Sequence, residues 1–427
     1  MAANDGERSV AGESMSYDSI GLARRAALRR SGDERTINLI RLRRYRLARV
    51  QAQLKAYDLA GAILFDPINV HYATGSRNQT LWKMHSWGRY AFVPADGSVT
   101  LFDSSSSLHL ARGIETIAEA RPSTGLGFIY GGDAVSERAE RWASEIADLA
   151  HAAGGAAPRI AIDRTEPLGA AALARRGIVL ADASAPIDRA RAIKSADEIA
   201  CMKIAIAVCE AAMTRMREAL EPGITENELW SILHQANIAG GGEWIETRML
   251  SSGSRINPWY NESSDRVIEA GDLVGFDADM VGPFGYIADL SRTFLCGPTA
   301  PTREQRRLYR IAYDQLHHDL ALIRPGLAFG EYTARAWPFP PEFLANRYGC
   351  VVHGAGSCDE YPTLGYPTGP GLGSAEGAFE PGMVVCVESY IGAAGARDGV
   401  KLEDQVLITD TGYENLTHFP FESAMLA

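Results

Sequence analysis

Six side chains between residues 277 and 403 have the chemistry of a metal-binding box. They are Asp277 and Asp279 in GFDADMVG, Asp289 in GYIADLSRTF, His353 in YGCVVHGAG, Glu388 in GMVVCVESY and Glu403 in VKLEDQVLIT. Each lies in an apolar, β-branched run that predicts a strand. Asp277 and Asp279, two residues apart on such a strand, are expected to share a face. Acidic side chains rarely enter strands of this kind unless something pairs with them. Two carboxylates about 4 Å apart repel by about 4 kcal/mol even at an effective dielectric of about 20. Two divalent or trivalent cations would convert that repulsion into binding. An oxygen-rich set with one imidazole suits Mn, Fe, Co or Zn better than a thiolate-seeking ion. Any one of these acids alone would be read as a turn cap or a surface ion pair; the six together, with their flanks, would not.

The rest of the chain supplies elements to position them. Residues 1–34 are polar, with a basic run RRAALRRSGDER, and read as a tail or short surface helix whose charges form a solvated face. From residue 35 to 190, a helical stretch (LIRLRRYRLARVQAQLKAYD) is followed by short apolar strands (AGAILF, YAFVP, VTLFD, RIAID), an α/β arrangement. From residue 191 to 427 a second domain opens with the long helix SADEIACMKIAIAVCEAAMTRMREAL. A further helix follows, for which Thr225 and Glu228 predict a capping box. The helix TREQRRLYRIAYDQLHHDLALI comes next, and strands and Gly/Pro-rich loops after it. His317 and His318 lie on that helix and read as surface residues.

Composition narrows the class. A chain of 427 residues is too long for one compact core. With 46% hydrophobic and 22% charged residues it reads as an ordinary globular protein. A net charge of −11 argues against nucleic acid and anionic membranes as partners. No run approaches a membrane span, and the polar N-terminus has no apolar signal core. Six cysteines without paired spacing read as reduced thiols, which points to the cytoplasm. Cys358, beside Asp359, invites a nucleophile reading.

The flanks of the box carry a resemblance. GYIADLSRTF, EPGMVVCVES and KLEDQVLIT resemble motifs of the pita-bread superfamily, which includes creatinase, prolidase and aminopeptidase P, and IKSADEIACMKIA resembles the start of its catalytic domain. The fold implied is α/β (α+β) in two domains. A creatinase-like N-terminal α/β domain would precede a C-terminal pita-bread catalytic domain, in which paired helices pack on a curved antiparallel sheet. The resemblance implies that Asp289 and Glu403 bridge two metals, Asp277 or Asp279 completing one site and His353 with Glu388 the other. Three departures set the chain apart from the peptidases. Asp289 follows Asp277 by twelve residues and Asp279 by ten, where peptidases have eleven. Trp259 follows Pro258 where they place a histidine. Glu360, preceded by Asp359, occupies the position seven beyond His353 where they carry a second histidine.

FDPINVHYATGSRNQTLW, GGEWIETRMLSSG, NPWY, the doubled FDAD, YGCVVHGAGSCDEYP and KLEDQVLITDTGYENLT together resemble the P-type dimethylsulfoniopropionate lyases (DddP), a non-peptidase branch. The activity implied is cleavage of dimethylsulfoniopropionate to acrylate and dimethyl sulfide, with Asp359 as general base and Tyr348, the second catalytic candidate and alternative base, facing substrate. The sulfonium end calls for aromatic faces, for which Trp82, Trp259, Tyr260 and Tyr366 are candidates beside Tyr348. Arg248 and Arg255 are candidates to hold the carboxylate, or else brace their loop. Iron is the expected metal and a homodimer the expected assembly. A Xaa-Pro-type metallohydrolase, a creatinase-like C–N cleaving enzyme and a catalytically silent scaffold are the competing readings.

Overall fold

The computed structural model describes residues 37–367 and 376–427, so the expected tail over 1–34 lies outside the described residues. The first sheet has six strands: β1 (Gly61–Leu64), β2 (Tyr90–Pro94), β3 (Val99–Asp103), β4 (Ile117–Pro122), β5 (Arg159–Ile162) and β6 (Val179–Asp182), in the order β4-β3-β2-β1-β5-β6. It is mixed: β2 runs antiparallel to β1 and β3, while β1–β5, β5–β6 and β3–β4 are parallel. Alternation along β1 explains the layering. Ala62 and Leu64 pack with Leu47, Val50 and Leu54 of α1 (Leu39–Ala56), whereas Ile63 packs on the other face with Trp142 and Ile146. The helices α2 (Pro67–Thr74), α3 (Val135–Gly154), α4 (Pro167–Ala174) and α5 (Ser184–Ala192) complete this α/β layer structure. The four strands expected from sequence and α1 form where their patterning places them. β4 and β6, both half-exposed edge strands, gave no such pattern.

The second half starts with α6 (Ala196–Ala219) and α7 (Glu226–Ala239), both opened by capping boxes, at Ser195/Glu198 and Thr225/Glu228. Three antiparallel sheets follow. β7 (Trp244–Ile245), β10 (Met280–Val281) and β11 (Ile287–Ala288) form one, and β8 (Leu250–Ser252), β9 (Leu273–Asp277) and β12 (Ser291–Leu295) a second. β13 (Cys350–Ala355), β14 (Asp359–Gly365), β15 (Val384–Ile391), β16 (Val400–Ile408) and β17 (Tyr413–Asn415) form the third, in the order β14-β13-β15-β16-β17. Side chains of β12 stitch the last two together. Thr293 Oγ1 donates to Lys401 O (2.9 Å), and the buried Arg292 donates to Glu403 O (2.7 Å) and Asp404 Oδ1 (2.8 Å).

α6 and α7 cover one side of these sheets, and α8 (Arg303–Leu322) with α9 (Phe329–Arg335) the other. Along β16, Leu402 and Val406 pack toward α8, which turns Lys401, Glu403 and Gln405 to the opposite face, where they too are buried. Two strand expectations need correction. β9 ends at Asp277, and Asp279 follows with φ +38°, a left-handed conformation that turns the chain into β10. Asp289 lies between β11 and β12 and belongs to neither.

Candidate metal centre

All six expected ligands meet in one buried place. Ligand atoms of Asp277, Asp279 and Asp289 lie within 4.8 Å of one another, as do those of Asp289, His353, Cys386 and Glu403, and those of Asp277, Glu388 and Glu403. Asp277, Asp289 and Glu403 are each shared between two groups, so the two expected bridges sit among the three side chains that link the cluster. Pairing geometry brings them there. Glu388 on β15 stands directly opposite Glu403 on β16, and Asp277 on β9 opposite Ser291 on β12. Asp277 and Asp279 do converge, through the turn at Asp279 and not through strand alternation. Thr247 Oγ1 donates to Asp279 Oδ2 (2.5 Å), and Asp289 N donates to Gln405 Oε1 (3.0 Å).

Sequence reasoning missed three members of the centre, Lys401, Ser291 and Cys386. Lys401 is fully buried, and its Nζ lies 2.5 Å from Glu388 Oε2, 3.0 Å from Asp277 Oδ2 and 3.1 Å from Glu403 Oε2. Ser291 Oγ bridges Asp277 Oδ1 and Glu403 Oε2, 2.7 Å from each. The signal for Lys401 was its place two residues before Glu403, on the same face of the strand. His353 Nε2 lies 3.3 Å from Glu388, 3.5 Å from Glu403 and 3.6 Å from Asp289.

The electrostatics describe a site built for cations. Burial, and then the neighbouring carboxylates, push Asp277 up to about 6 and hold Asp279 and Asp289 well above the carboxylate range. Burial alone would lower His353 and Lys401, but the surrounding acids overcome it and raise both. Glu403 Oε1 is buried without a hydrogen bond. An orphaned, fully buried carboxylate oxygen among the ligand atoms of three other groups fits a metal ion. Cys386 lies close by as a neutral thiol, which burial and Asp289 push well up.

Above the box opens a cavity of about 390 Å³ lined by Thr247, Met249, Tyr260, Tyr348, Asp359 and Thr363 together with four of the ligands. Asp359 Oδ1 is 3.5 Å from His353 Nδ1, and its side chain is 59% exposed. The rings of Tyr260 and Tyr348 stack at 5.4 Å. The other aromatic candidates lie elsewhere. Trp259 is buried beneath the centre against Tyr390, with Lys401 Nζ 5.9 Å from its ring. Tyr366 bonds Gln315 and lies under Arg347. Trp82 is half-exposed and lines another depression with Arg77 and Trp244. Arg255 pairs with buried Glu226, and Arg248 bonds Asn227 and Ser263, so both brace their loop. All six cysteines are free, and burial pushes the Cys358 thiol up to about 12. His317 stacks on Tyr313 and His318 packs on Trp337, both outside the centre.

Residues 200–410 match metallopeptidase family M24, and residues 46–193 match the creatinase/prolidase N-terminal domain. The chain is 38% identical over 394 residues to the dimethylsulfoniopropionate lyase DddP of Roseovarius nubinhibens, and 36% identical over 394 residues to that of Roseobacter denitrificans. Each match covers 91% of this chain and 88% of the relative. The fold is similar to dipeptidase PepE from Mycobacterium ulcerans (TM-score 0.70, 23% identity, 90% of this chain and 98% of that one). It is similar also to prolidase from Pyrococcus furiosus (TM-score 0.67, 21% identity, 86% and 99%). The chain belongs to the DddP family of dimethylsulfoniopropionate lyases, within the two-domain pita-bread architecture.

The raised Asp277 carboxyl makes a testable difference. In metal-stripped protein its folded state keeps a proton, up to about pH 6, that the unfolded chain releases near the ordinary 3.8. Stability from this group is therefore present at low pH and lost as pH rises through about 6. Chemical denaturation of stripped wild type and Asp277→Asn should show the variant gaining, relative to wild type, on the order of 1–3 kcal/mol between pH 4 and 7. A pH-independent difference would show that Asp277 is not held protonated.

Proposed function

We propose that this protein cleaves dimethylsulfoniopropionate into acrylate and dimethyl sulfide by base-promoted β-elimination, with Asp359 as the base. One observation carries the assignment of the base: Asp359 reaches the cavity beside His353 yet belongs to none of the three ligand groups. The substrate is a small zwitterion, and a 390 Å³ cavity with an anionic floor and stacked tyrosines suits it. A metal pair held by Asp277, Asp279, Asp289, His353, Glu388 and Glu403 would supply Lewis-acid stabilisation of charge growing on the substrate carboxylate. We propose iron for these sites, one of the metals (Mn, Fe, Co or Zn) that an oxygen-rich set with a single imidazole suits.

Asp359 takes a proton from the carbon next to the carboxylate. The C–H electron pair becomes the carbon–carbon double bond, and the C–S bond breaks with its pair leaving on sulfur as neutral sulfide. Tyr260 and Tyr348 offer π faces to the sulfonium before it leaves, without a counter-charge that would stabilise the ground state. Burial, chiefly, pushes the Tyr348 hydroxyl far up, so it stays protonated and serves as a donor, not a base. Trp82, Trp259 and Tyr366 contact substrate in this reading only if the cavity's surroundings rearrange, and Tyr260 and Tyr348 carry the aromatic contact. Peptide hydrolysis is disfavoured because Glu360, where peptidases place a histidine, points away from the centre into an ion pair.

We place the first domain at 35–190 and the catalytic domain at 191–427, and the protein in the cytoplasm. Among the described residues no helix is long and apolar enough to cross a membrane. We further propose a homodimer, as large pita-bread enzymes pair. Light scattering at micromolar concentration should give twice the chain mass; the mass of one chain would refute it. The base is tested by headspace dimethyl sulfide. Asp359→Ala should keep its metal and lose about 10²- to 10⁴-fold in rate, while Tyr348→Phe keeps measurable turnover. Wild-type turnover in Asp359→Ala would sink the mechanism, and loss of metal would make Asp359 a ligand.

A further inference from the structure

The general base has little of its own to hold it. The Asp359 side chain is mostly solvent-exposed, and among the described residues its nearest charged partner is His353, at 3.5 Å. A base that works within hydrogen-bond reach of one C–H must be placed by something else, and its backbone is what remains. The next residue on β14, Glu360, points to the opposite face, as strand alternation requires. There its side chain is 1% exposed, and its Oε2 accepts from Lys194 Nζ at 2.9 Å, itself 2% exposed. Oε1 accepts from Ser357 N at 2.8 Å and lies 3.5 Å from Arg191 Nε. The carboxylate thus grips both the tight turn between β13 and β14 and the junction between α5 and α6. The turn has closed around it, since a Cβ on Gly356 would come within 2.3–2.4 Å of the Glu360 carboxyl atoms. From the other side Ile287 N, two residues before the ligand Asp289, donates to Gly356 O at 2.7 Å.

The grip continues into the first domain. Arg191 Nη1 donates to Asn69 Oδ1 (3.0 Å), and Asn69 Nδ2 donates to the half-buried Asp163 (3.1 Å) just past the end of β5. A buried ion pair is a weak source of net stability, because desolvation offsets its attraction, whereas its geometry is strict. We infer that Glu360, clamped by Lys194 and Arg191, is the positioning residue of the base: it fixes the strand on which Asp359 stands and ties that placement to the first domain. The inference rests on Asp359 being the base.

Glu360→Gln keeps the shape and removes the charge. With dimethylsulfoniopropionate and fully metal-loaded protein, kcat should fall at least about 10-fold while KM stays within about 3-fold, as misplacement of a reacting group costs rate more than binding. Substrate deuterated at the carbon next to the carboxylate should show a larger isotope effect than with wild type. A brace serving stability alone would lower Tm and leave kcat per metal-loaded molecule and the isotope effect unchanged; that result overturns the inference. Should Glu360→Gln fail to fold, Lys194→Met is judged by the same criteria, and failure of both to fold assigns the pair to stability and also overturns it. Asp359→Asn separates the two readings. If it stays active the base assignment fails, whereas an inactive Asp359→Asn beside a wild-type Glu360→Gln refutes only the positioning role.

Discussion

Five buried carboxylates converge on a space a few ångströms across, and the catalytic half of the molecule is organised around tolerating them. Like charges directly opposite across a strand pair are destabilising, yet Glu388 faces Glu403 in register. The chain answers with one permanent cation, the Lys401 ammonium, touching three of the acids. Five negative charges against one ammonium leave four, which two divalent ions would neutralise with His353 in its neutral, ligating form. Without those ions the site can only take up protons, and the raised Asp277, Asp279, Asp289 and His353 describe that state. Metal binding here is therefore proton release as well.

That constraint explains features that otherwise look arbitrary. β16 is buried along nearly its whole length because one face serves the core and the other the ligands. Asp279 adopts a left-handed backbone so that a second aspartate can join the first from beyond the end of a strand. Asp359, the base we propose, is kept apart from the six clustered side chains: it stands at the start of β14, next to open cavity, with the ion-paired Glu360 behind it. His353 of the buried cluster and the exposed Asp359 thus stand on neighbouring strands with different burial, which suits the rigid and free roles we propose for them.

Much of this was legible in the chain, for physical reasons. Acids in β-branched runs stand out because solvation forbids them without partners, so all six side chains that converge in the structure could be picked out as a set. Capping residues and 3.6-residue periodicity located α6, α7 and α8. What failed was geometry that depends on tertiary context. Alternation placed Asp277 and Asp279 on one face, but the strand ends between them, and no local residue preference announces that turn. Lys401 went unnoticed because a lysine beside an acid reads as a surface pair until burial is known. The aromatic residues were the least legible. Nothing in the local sequence distinguishes Tyr260 and Tyr348, which line the cavity, from Trp259 and Tyr366, which pack beside it, or from Trp82, which lies on another surface.

The central claim is that the carboxylate box is balanced by two cations, with Lys401 completing the balance. Calorimetric titration of divalent iron or manganese into stripped protein, repeated in buffers of different ionisation enthalpy, tests it most directly. The account predicts two equivalents bound with net proton release, and weaker binding as pH falls toward 5. Saturation at a single equivalent, or binding of two without proton release, would contradict it.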